Sequence, residues 1–341
     1  MSAMSAPQSE PLLSIRDLSV DYVTDTGPVR AVDRVSLAVA RGEIVGLAGE
    51  SGSGKTTLAQ VLLRILPPPA VVTGGEVRFE GRDILALTEP ELREIRWQRI
   101  SMVFQSAMDA LNPVITVGEQ ITDTLLAHGA AAPEKARARA GELLAMVGIA
   151  PDRVDSYAHQ LSGGMRQRVG IALALALEPS LVILDEPTTA LDVIVEREIL
   201  DQIRALRARL GVAVLFITHD LARMLQFSDR VAVFYAGRLV EVGPSAELRR
   251  APRHPYTLGL LRSFPTVHGD MTALASIPGA PPSLRHPPPG CRFHPRCDRT
   301  VDRCRVESPA LVELAPGHAA ACHLAEPDAP APVQAPAAKR A

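Results

Sequence analysis

Several residue types are scarce in this sequence, and each scarcity excludes a class of protein. Aromatic residues make up only 4% of the 341 residues, with a single Trp. No apolar run approaches the ~20 residues that a bilayer-spanning helix needs, and the longest candidate, 171–184, is interrupted by Glu178 and Pro179. The N-terminus has neither a basic segment nor an apolar core, which argues against a secretory signal. We therefore expect a cytoplasmic chain that meets a membrane only through another protein.

Net charge is also small. The 36 basic and 38 acidic residues give a net charge of −2, so nothing global indicates nucleic acid binding and any anion site must be local. A composition that is 47% hydrophobic and 22% charged is ordinary for a soluble globular protein and excludes wholesale disorder.

Cysteine is absent from residues 1–250, and all four cysteines lie within 291–322. Sixteen of the 29 prolines and six of the nine histidines follow residue 251. This shift predicts a large regular domain followed, from near Ala251, by a compact, loop-rich segment. The Ala/Pro-rich chain after Cys322 can bury little apolar surface and is expected to be disordered.

In the large domain, short aliphatic runs alternate with helical patterns. The runs 181–185 and 212–218 are apolar on both faces, as in a parallel sheet covered by helices. The sequence therefore predicts an α/β fold with a helix-rich insertion at about 105–160. The predicted strands are 13–20, 35–40, 44–48, 77–79, 100–104, 181–185, 212–218 and 231–235. The predicted helices are 55–66, 117–128, 133–147, 164–177 and 193–210.

A glycine-rich loop joins the predicted strand 44–48 to the following helix. It reads Gly49-Glu50-Ser51-Gly52-Ser53-Gly54-Lys55-Thr56, a G-x-x-x-x-G-K-[ST] motif in the strand–loop–helix context that the motif requires. The glycines let successive N–H groups point at a polyphosphate, and the helix N-terminus adds about half a positive charge. Lys55 suits the β- and γ-phosphates and the Thr56 hydroxyl suits Mg²⁺. The motif favours nucleoside triphosphate binding over an incidental glycine-rich turn.

Two carboxylates end the apolar run 181–185. Asp185 at the strand tip would hold Mg²⁺ directly or through water. Glu186, one residue on, could orient or deprotonate the attacking water. Alone, the pair would be read as solvated carboxylates before a turn; beside a phosphate loop, it indicates a hydrolytic site.

A second anion-binding segment, Leu161-Ser162-Gly163-Gly164, precedes a predicted helix. One triphosphate rarely needs two such segments from one chain, which suggests that this one serves a partner's nucleotide. With this LSGG segment the chain resembles the ATP-binding subunits of ABC transporters. Further family elements follow in order: an aromatic like the adenine-stacking residue, a Q-loop glutamine, a D-loop aspartate and a switch histidine. These are Tyr22, Gln105, Asp192 and His219.

The resemblance implies the ABC form of the P-loop NTPase fold and a set of site residues. The hydrolytic residues would be Glu186, His219 and Gln105. The Mg²⁺ ligands would be Thr56, Gln105 and Asp185. The ATP-binding residues would be Tyr22, Gly49, Glu50, Ser51, Gly52, Ser53, Gly54, Lys55, Thr56 and Thr57. The residues contacting a partner subunit's ATP would be Ser162, Gly163, Gly164 and Asp192.

Three further parts of the sequence narrow the resemblance to the ATP-binding subunits of peptide importers. The segment after Gln105, the sequence His254-Pro255-Tyr256-Thr257 and the cysteine block are similar to the corresponding parts of that family. It implies peripheral location at the cytoplasmic face of the inner membrane, two permease subunits, an extracytoplasmic substrate-binding protein and a second, non-identical ATPase, with no role for nucleic acid. Nickel and oligosaccharides remain alternative cargoes. A soluble ABC ATPase without a membrane partner and a free-standing iron–sulfur sensor are the competing classes.

The expected organisation is a disordered N-terminus over 1–11, an ATPase domain over 12–262 with a helical subdomain at about 106–160, a C-terminal domain over 263–324 and a disordered tail over 325–341. The C-terminal domain is expected to be small and irregular.

The cysteine block admits three interpretations. Cys291, Cys297, Cys304 and Cys322 could hold a [4Fe-4S] cluster, hold zinc, or stay as buried thiols. A disulfide is disfavoured in a reducing compartment, and zinc usually shows closer cysteine pairs. Peptide-importer ATPases with a similar C-terminal pattern bind a [4Fe-4S] cluster, and the resemblance favours that ligand, as a staple for a segment too small to build its own core.

Overall fold

The computed structural model describes residues 10–104, 111–188, 191–263 and 276–325. Within them the chain forms a sheet of four strands and a sheet of eight. The strands are β1 (Leu13–Thr24), β2 (Gly27–Val39), β3 (Ile44–Ala48), β4 (Ala70–Phe79), β5 (Arg82–Asp83), β6 (Ile100–Val103), β7 (Leu181–Asp185), β8 (Ala213–Ile217), β9 (Arg230–Tyr235), β10 (Arg238–Pro244), β11 (Val312–Ala315) and β12 (His318–Ala320). The α-helices are α1 (Lys55–Leu62), α2 (Glu89–Ile95), α3 (Val117–Ala127), α4 (Pro133–Met146), α5 (Gly163–Leu175), α6 (Val193–Leu210), α7 (Leu221–Phe227), α8 (Ser245–Arg250), α9 (Pro255–Arg262) and α10 (Asp302–Val306).

The larger sheet confirms the predicted α/β class. Its order is β11-β12-β10-β9-β3-β8-β7-β6, and the five strands from β9 to β6 run parallel. Successive residues of these strands are buried on opposite faces: Val182 and Val214 belong to one apolar cluster, Ile183 and Leu215 to the other. Burial on both faces explains why these strands read as continuous apolar runs.

Strand register sets the position of the site. Leu47 of β3 and Asp185 of β7 both lie opposite Ile217 of the intervening strand β8. The three strands therefore end at one level. Since the carboxyl ends of parallel strands share an edge of the sheet, the loops that follow them converge there.

The smaller sheet, ordered β2-β1-β4-β5, is antiparallel. Its strands are longer than predicted: β1 continues to Thr24, and β4 begins at Ala70 rather than at residue 77. The added segments include exposed positions such as Val71 and Val72, so they lack the alternation of a half-buried strand. The added part of β1 pairs with β2 in a hairpin, and the added part of β4 pairs with β1.

The helices of the insertion pack against one another, α3 with α4 and both with α5. The predicted bounds of α3 and α4 hold to within one residue, and those of α6 hold without change. The prediction for α1 was four residues too long, because the helix ends at Leu62 and Arg64 takes a left-handed φ of 49°. Likewise α5 ends at Leu175, shortly before Glu178 with φ of 52°.

Most of the described C-terminal segment, residues 276–325, is irregular, with two short strands and one short α-helix. Strands β11 and β12 form a hairpin that pairs with β10, with Glu241 opposite Ala320, and so extends the large sheet. Strand β10, which was not predicted, supplies that edge. None of the helices in the described part of the chain combines the length and apolar character needed to cross a membrane.

Candidate nucleotide-binding site

The phosphate loop connects β3 to α1 and depends on its glycines. Gly49, Gly52 and Gly54 have φ values of 145°, 73° and 103°, a region that residues with a side chain rarely adopt. A Cβ on Gly54 would also lie 2.2 Å from the Ala31 carbonyl oxygen. The N–H groups of Glu50 and Ser53 are engaged within the protein, and the curled backbone can turn the other N–H groups of the loop toward an anion at the start of α1.

Lys55 points back into this loop. Its Nζ donates to the carbonyl oxygens of Gly49 and Glu50 at 2.8 and 2.9 Å and to Ser53 Oγ at 3.2 Å. Burial lowers the pKa of the Lys55 ammonium to about 8. Nearby carboxylates act in the opposite direction and raise this pKa, Glu186 most strongly. A polyphosphate would supply both acceptors and negative charge to this desolvated cation.

Asp185 stands at the end of β7, 2% exposed. Burial raises the pKa of its carboxyl, which the Thr56 hydroxyl partly offsets. Its Oδ1 has no hydrogen-bond partner among the described residues. A buried carboxylate oxygen left open beside a threonine hydroxyl fits Mg²⁺, which takes oxygen ligands.

Glu186 and His219 come from different strand ends and meet above the sheet. Glu186 Oε1 lies 3.3 Å from His219 Nδ1. The Glu186 side chain is 18% exposed and that of His219 is 60% exposed, so water can reach both. Glu186 takes a left-handed φ of 47°, and its N–H donates to the Ile217 carbonyl, which fixes the backbone that carries the carboxylate.

Tyr22 lies beside the same helix start. Its hydroxyl is 3.4 Å from Thr57 Oγ1, and the residue is half-buried. A partly open aromatic ring at this position can present a face to a planar base.

Ser162 and Asp192 both cap helices. Ser162 is exposed, and its hydroxyl accepts from Met165 N at the start of α5. Asp192 accepts from Ile194 N and Val195 N at the start of α6. A Cβ on Gly164 would lie 2.6 Å from Val195 Cγ1, so these two helix starts pack closely. The arrangement places the Ser162–Gly164 segment at the surface, where another molecule can reach it.

Gln105 and the Thr189 and Ala190 that precede Asp192 lie outside the described residues. The structure therefore locates the other predicted hydrolytic and Mg²⁺-binding residues but not Gln105.

The four cysteines converge. Cys291, Cys297, Cys304 and Cys322 line one small cavity together with His294 and His323. All four are free thiols, and burial raises the pKa of Cys291 to about 11. Among the described residues, no group of three or more His, Cys, Asp and Glu side chains that could hold a metal ion is found.

Sequence reasoning missed the surroundings of Glu50. Its carboxylate forms a bidentate pair with Arg296, 246 positions along the chain, and its N–H donates to the Tyr256 hydroxyl. No local pattern in the sequence links such distant residues.

A phosphate loop after one strand of a parallel sheet, with two carboxylates at the end of another, defines a P-loop nucleoside triphosphatase. Comparison with known proteins narrows this class. Residues 32–189 match the family model described as ABC transporter. Residues 240–304 match the one described as oligopeptide/dipeptide transporter, C-terminal region.

Two relatives cover almost the whole chain. The probable peptide ABC transporter ATP-binding protein y4tR of Sinorhizobium fredii is 46% identical over 94% of this chain and 97% of its own. The dipeptide transport ATP-binding protein DppD of Escherichia coli is 43% identical over 94% and 99%. Among solved structures, the dimeric ATP-binding cassette MJ0796 bound to ADP and Pi matches with a TM-score of 0.62 and 30% identity over 68% of this chain and 98% of that chain.

The chain belongs to the family of peptide ABC transporter ATP-binding proteins. It is an ATPase with the ABC form of the P-loop NTPase fold, and both predictions are confirmed.

Proposed function

We propose that this ATPase drives import of di- and oligopeptides from the cytoplasmic face of the cell membrane. The observation that carries the proposal is similarity along nearly the full chain, C-terminal region included, to proteins named for peptide transport. Its partners would be two permease subunits, a substrate-binding protein and a second, non-identical ATP-binding subunit. The 12–262 segment would be the ATPase domain and 263–324 the C-terminal domain.

ATP would be held first by the phosphate loop. Residues 49–57 would surround the phosphates with those N–H groups that are not engaged within the protein, Lys55 would pair with the β- and γ-phosphates, and Tyr22 would stack on adenine. Thr56, Asp185 and Gln105 would hold Mg²⁺. The ion would neutralise charge on the phosphoryl oxygens during transfer. The open Oδ1 of Asp185 beside Thr56 supports this assignment.

Hydrolysis would need a positioned water, and Glu186 is the candidate general base. Its carboxylate lies at the edge of the sheet where the phosphate loop begins, and it contacts His219. The water would lose its proton to Glu186 as its oxygen attacks the γ-phosphorus and the bond to the bridging oxygen breaks, releasing phosphate and leaving ADP. His219, the more exposed of the two, would contact the γ-phosphate.

A partner would complete the site. Ser162, Gly163, Gly164 and Asp192 would contact the ATP held by the second subunit, and the exposed position of Ser162 at the start of α5 supports this. ATP would then favour a closed dimer because it gains these contacts only in that state. Hydrolysis would remove the bridging charge and reopen the dimer.

The helical insertion at about 106–160 would transmit this motion to the permeases through the segment 105–113. Phe104 and Val114, which precede and follow that segment, are 41% and 77% exposed. Large apolar side chains exposed on both sides of the segment support a protein contact there.

The test is reconstitution of this chain in liposomes with the permeases, partner ATPase and binding protein encoded beside it. We expect accumulation of labelled dipeptide that requires ATP and stops when Glu186→Gln replaces the wild-type chain. Peptide uptake at equal rate without ATP would refute the proposal. Uptake of only nickel or an oligosaccharide would favour the alternative cargoes, and failure to associate with the permeases would favour a soluble ATPase.

We also propose that Cys291, Cys297, Cys304 and Cys322 bind a [4Fe-4S] cluster. All four thiols line one cavity and none is in a disulfide. A four-iron cube spaces its thiolates more widely than one zinc ion does, because each thiolate binds a different iron. Four free thiols lining one cavity supply the four ligands that such a cluster takes, one for each iron.

Anaerobically purified protein should accordingly be brown and contain about four irons per chain, one for each thiolate. Cys304→Ser should lose most of the iron and lower Tm, because the buried Cys304 can then no longer cross-link the segment through the cluster. Iron analysis, the visible spectrum and thermal melting measure this. Colourless protein carrying one zinc per chain would contradict the cluster.

A further inference from the structure

An arginine of the cysteine segment reaches into the phosphate loop. Arg296 lies in the short 3-10 helix His294–Arg296, directly before Cys297. Its Nη1 and Nη2 donate to Oε2 and Oε1 of Glu50 at 2.7 and 2.9 Å. Glu50 is the second residue of the phosphate loop, so this bidentate pair connects the C-terminal segment directly to the nucleotide site.

The guanidinium is held in one orientation. Beyond the two bonds to Glu50, Nε donates to the Pro278 carbonyl at 2.9 Å, and the Nη groups donate to Tyr235 Oη at 3.3 Å and to the Gly279 carbonyl at 3.4 Å. These five contacts match the five N–H donors of arginine. The side chain is 6% exposed, so bulk water cannot substitute for the carboxylate.

The backbone of Glu50 is held from the same side. Its N–H donates to the Tyr256 hydroxyl at 3.0 Å, while its carbonyl accepts from Lys55 Nζ. Tyr256 packs on Tyr235 and on Phe293, with ring centroids 4.6 and 5.4 Å apart. Phe293 lies in the loop between the first two cysteines, as does Arg296. This loop therefore contacts the Glu50 side chain through Arg296, and through Phe293 it packs against Tyr256, the acceptor of the Glu50 N–H.

The contact between Arg296 and Glu50 affects ATP binding through the charge of the Glu50 carboxylate. Glu50 is close enough to Lys55 to act on its ammonium, and that ammonium is the proposed partner of the phosphates. A carboxylate without its counter-ion would repel a triphosphate at the same place and compete for the lysine. Arg296 cancels that charge and orders the loop.

We propose that Arg296 is a positioning residue for ATP binding, through which the folded cysteine segment sets the nucleotide affinity of the phosphate loop. This inference rests on the ATPase function but not on which metal the cysteines hold. Unfolding of the segment then weakens ATP binding, because Glu50 of the phosphate loop loses its counter-ion.

The test compares two arginine–glutamate pairs in the same segment. Arg296→Ala should raise the Kd for MgATP at least about tenfold, equivalent to ~1.4 kcal/mol, with KM rising more than kcat falls. Arg303→Ala is the matched control: Arg303 pairs bidentately with Glu307 at 2.6 Å, but both side chains are more than half exposed, so Kd should not change. Equilibrium titration with a fluorescent ATP analogue on the full-length chain gives Kd, and circular dichroism verifies folding.

A second substitution distinguishes the effect of the unpaired Glu50 charge from the effect of losing the other Arg296 contacts. In the double variant Arg296→Ala/Glu50→Gln the unpaired carboxylate is gone, and ATP affinity should recover to within about threefold of wild type. Folded Arg296→Ala that binds MgATP like wild type would overturn the proposal, and so would a double variant as weak as the single one. If Arg296→Ala does not fold, Arg296→Gln keeps a polar side chain while removing the positive charge, and an unchanged Kd there would overturn the proposal equally. None of these outcomes bears on the ATPase assignment, which the Lys55 and Glu186 variants test.

Discussion

Replacement of Glu186 by Gln is expected to leave ATP binding intact and to slow hydrolysis at least about 10²-fold, as loss of a positioned general base typically does. The amide keeps the shape and the left-handed backbone of the carboxylate but cannot take a proton from water. Because ATP then persists, closed dimers with the partner subunit should accumulate. Phosphate release measures the rate, and light scattering coupled to gel filtration measures the dimer.

Glu178→Gln provides the matched control. Glu178 shares the positive φ, at 52°, and its ion pair with Arg139 is exposed. Surface ion pairs contribute ~0–1 kcal/mol to stability, and this one lies outside the site, so the control should hydrolyse ATP at the wild-type rate. Wild-type turnover by Glu186→Gln would remove Glu186 from its proposed role.

Lys55→Ala should lower kcat by about 10²–10³, the usual effect of removing one donor to developing charge, and should also weaken ATP binding. The physical reason is local charge balance. Without the ammonium, the phosphates would face Asp185 and Glu186, the carboxylates that now act on Lys55, with only backbone N–H groups to offset them.

The comparison for this variant is Lys135→Ala, since Lys135 lies on the exposed side of α4. It should bind and hydrolyse ATP normally. Isothermal titration with MgATP and steady-state kinetics distinguish the two variants, and a melting curve shows whether loss of the Lys55 contacts to Gly49, Glu50 and Ser53 disturbs folding. Retained activity in folded Lys55→Ala would contradict the phosphate-loop assignment.

Prediction from sequence worked best where structure is encoded locally. The apolar strands β3, β7 and β8 are buried on both faces, so their composition alone marks them, and the bounds of α6 follow from the Asp192 cap and Gly211 at its end. It worked less well for the outer part of β1 and β4, where exposed residues are held in strands by their partners. It also missed the local hairpins β9–β10 and β11–β12 and the pairing of β10 with β12, which joins segments far apart in sequence.

For the site, the sequence by itself determined the chemical groups. The order of glycines, Lys55 and Thr56 after a strand requires a phosphate-binding backbone, and Asp185 and Glu186 follow a second strand, because these motifs are contiguous and their geometry is local. Only the tertiary structure decided how Glu186 and His219 meet, which cavity the four cysteines of 291–322 line, and that Arg296 pairs with Glu50. Such contacts depend on strand order and on packing between remote segments, which no local pattern of residues records.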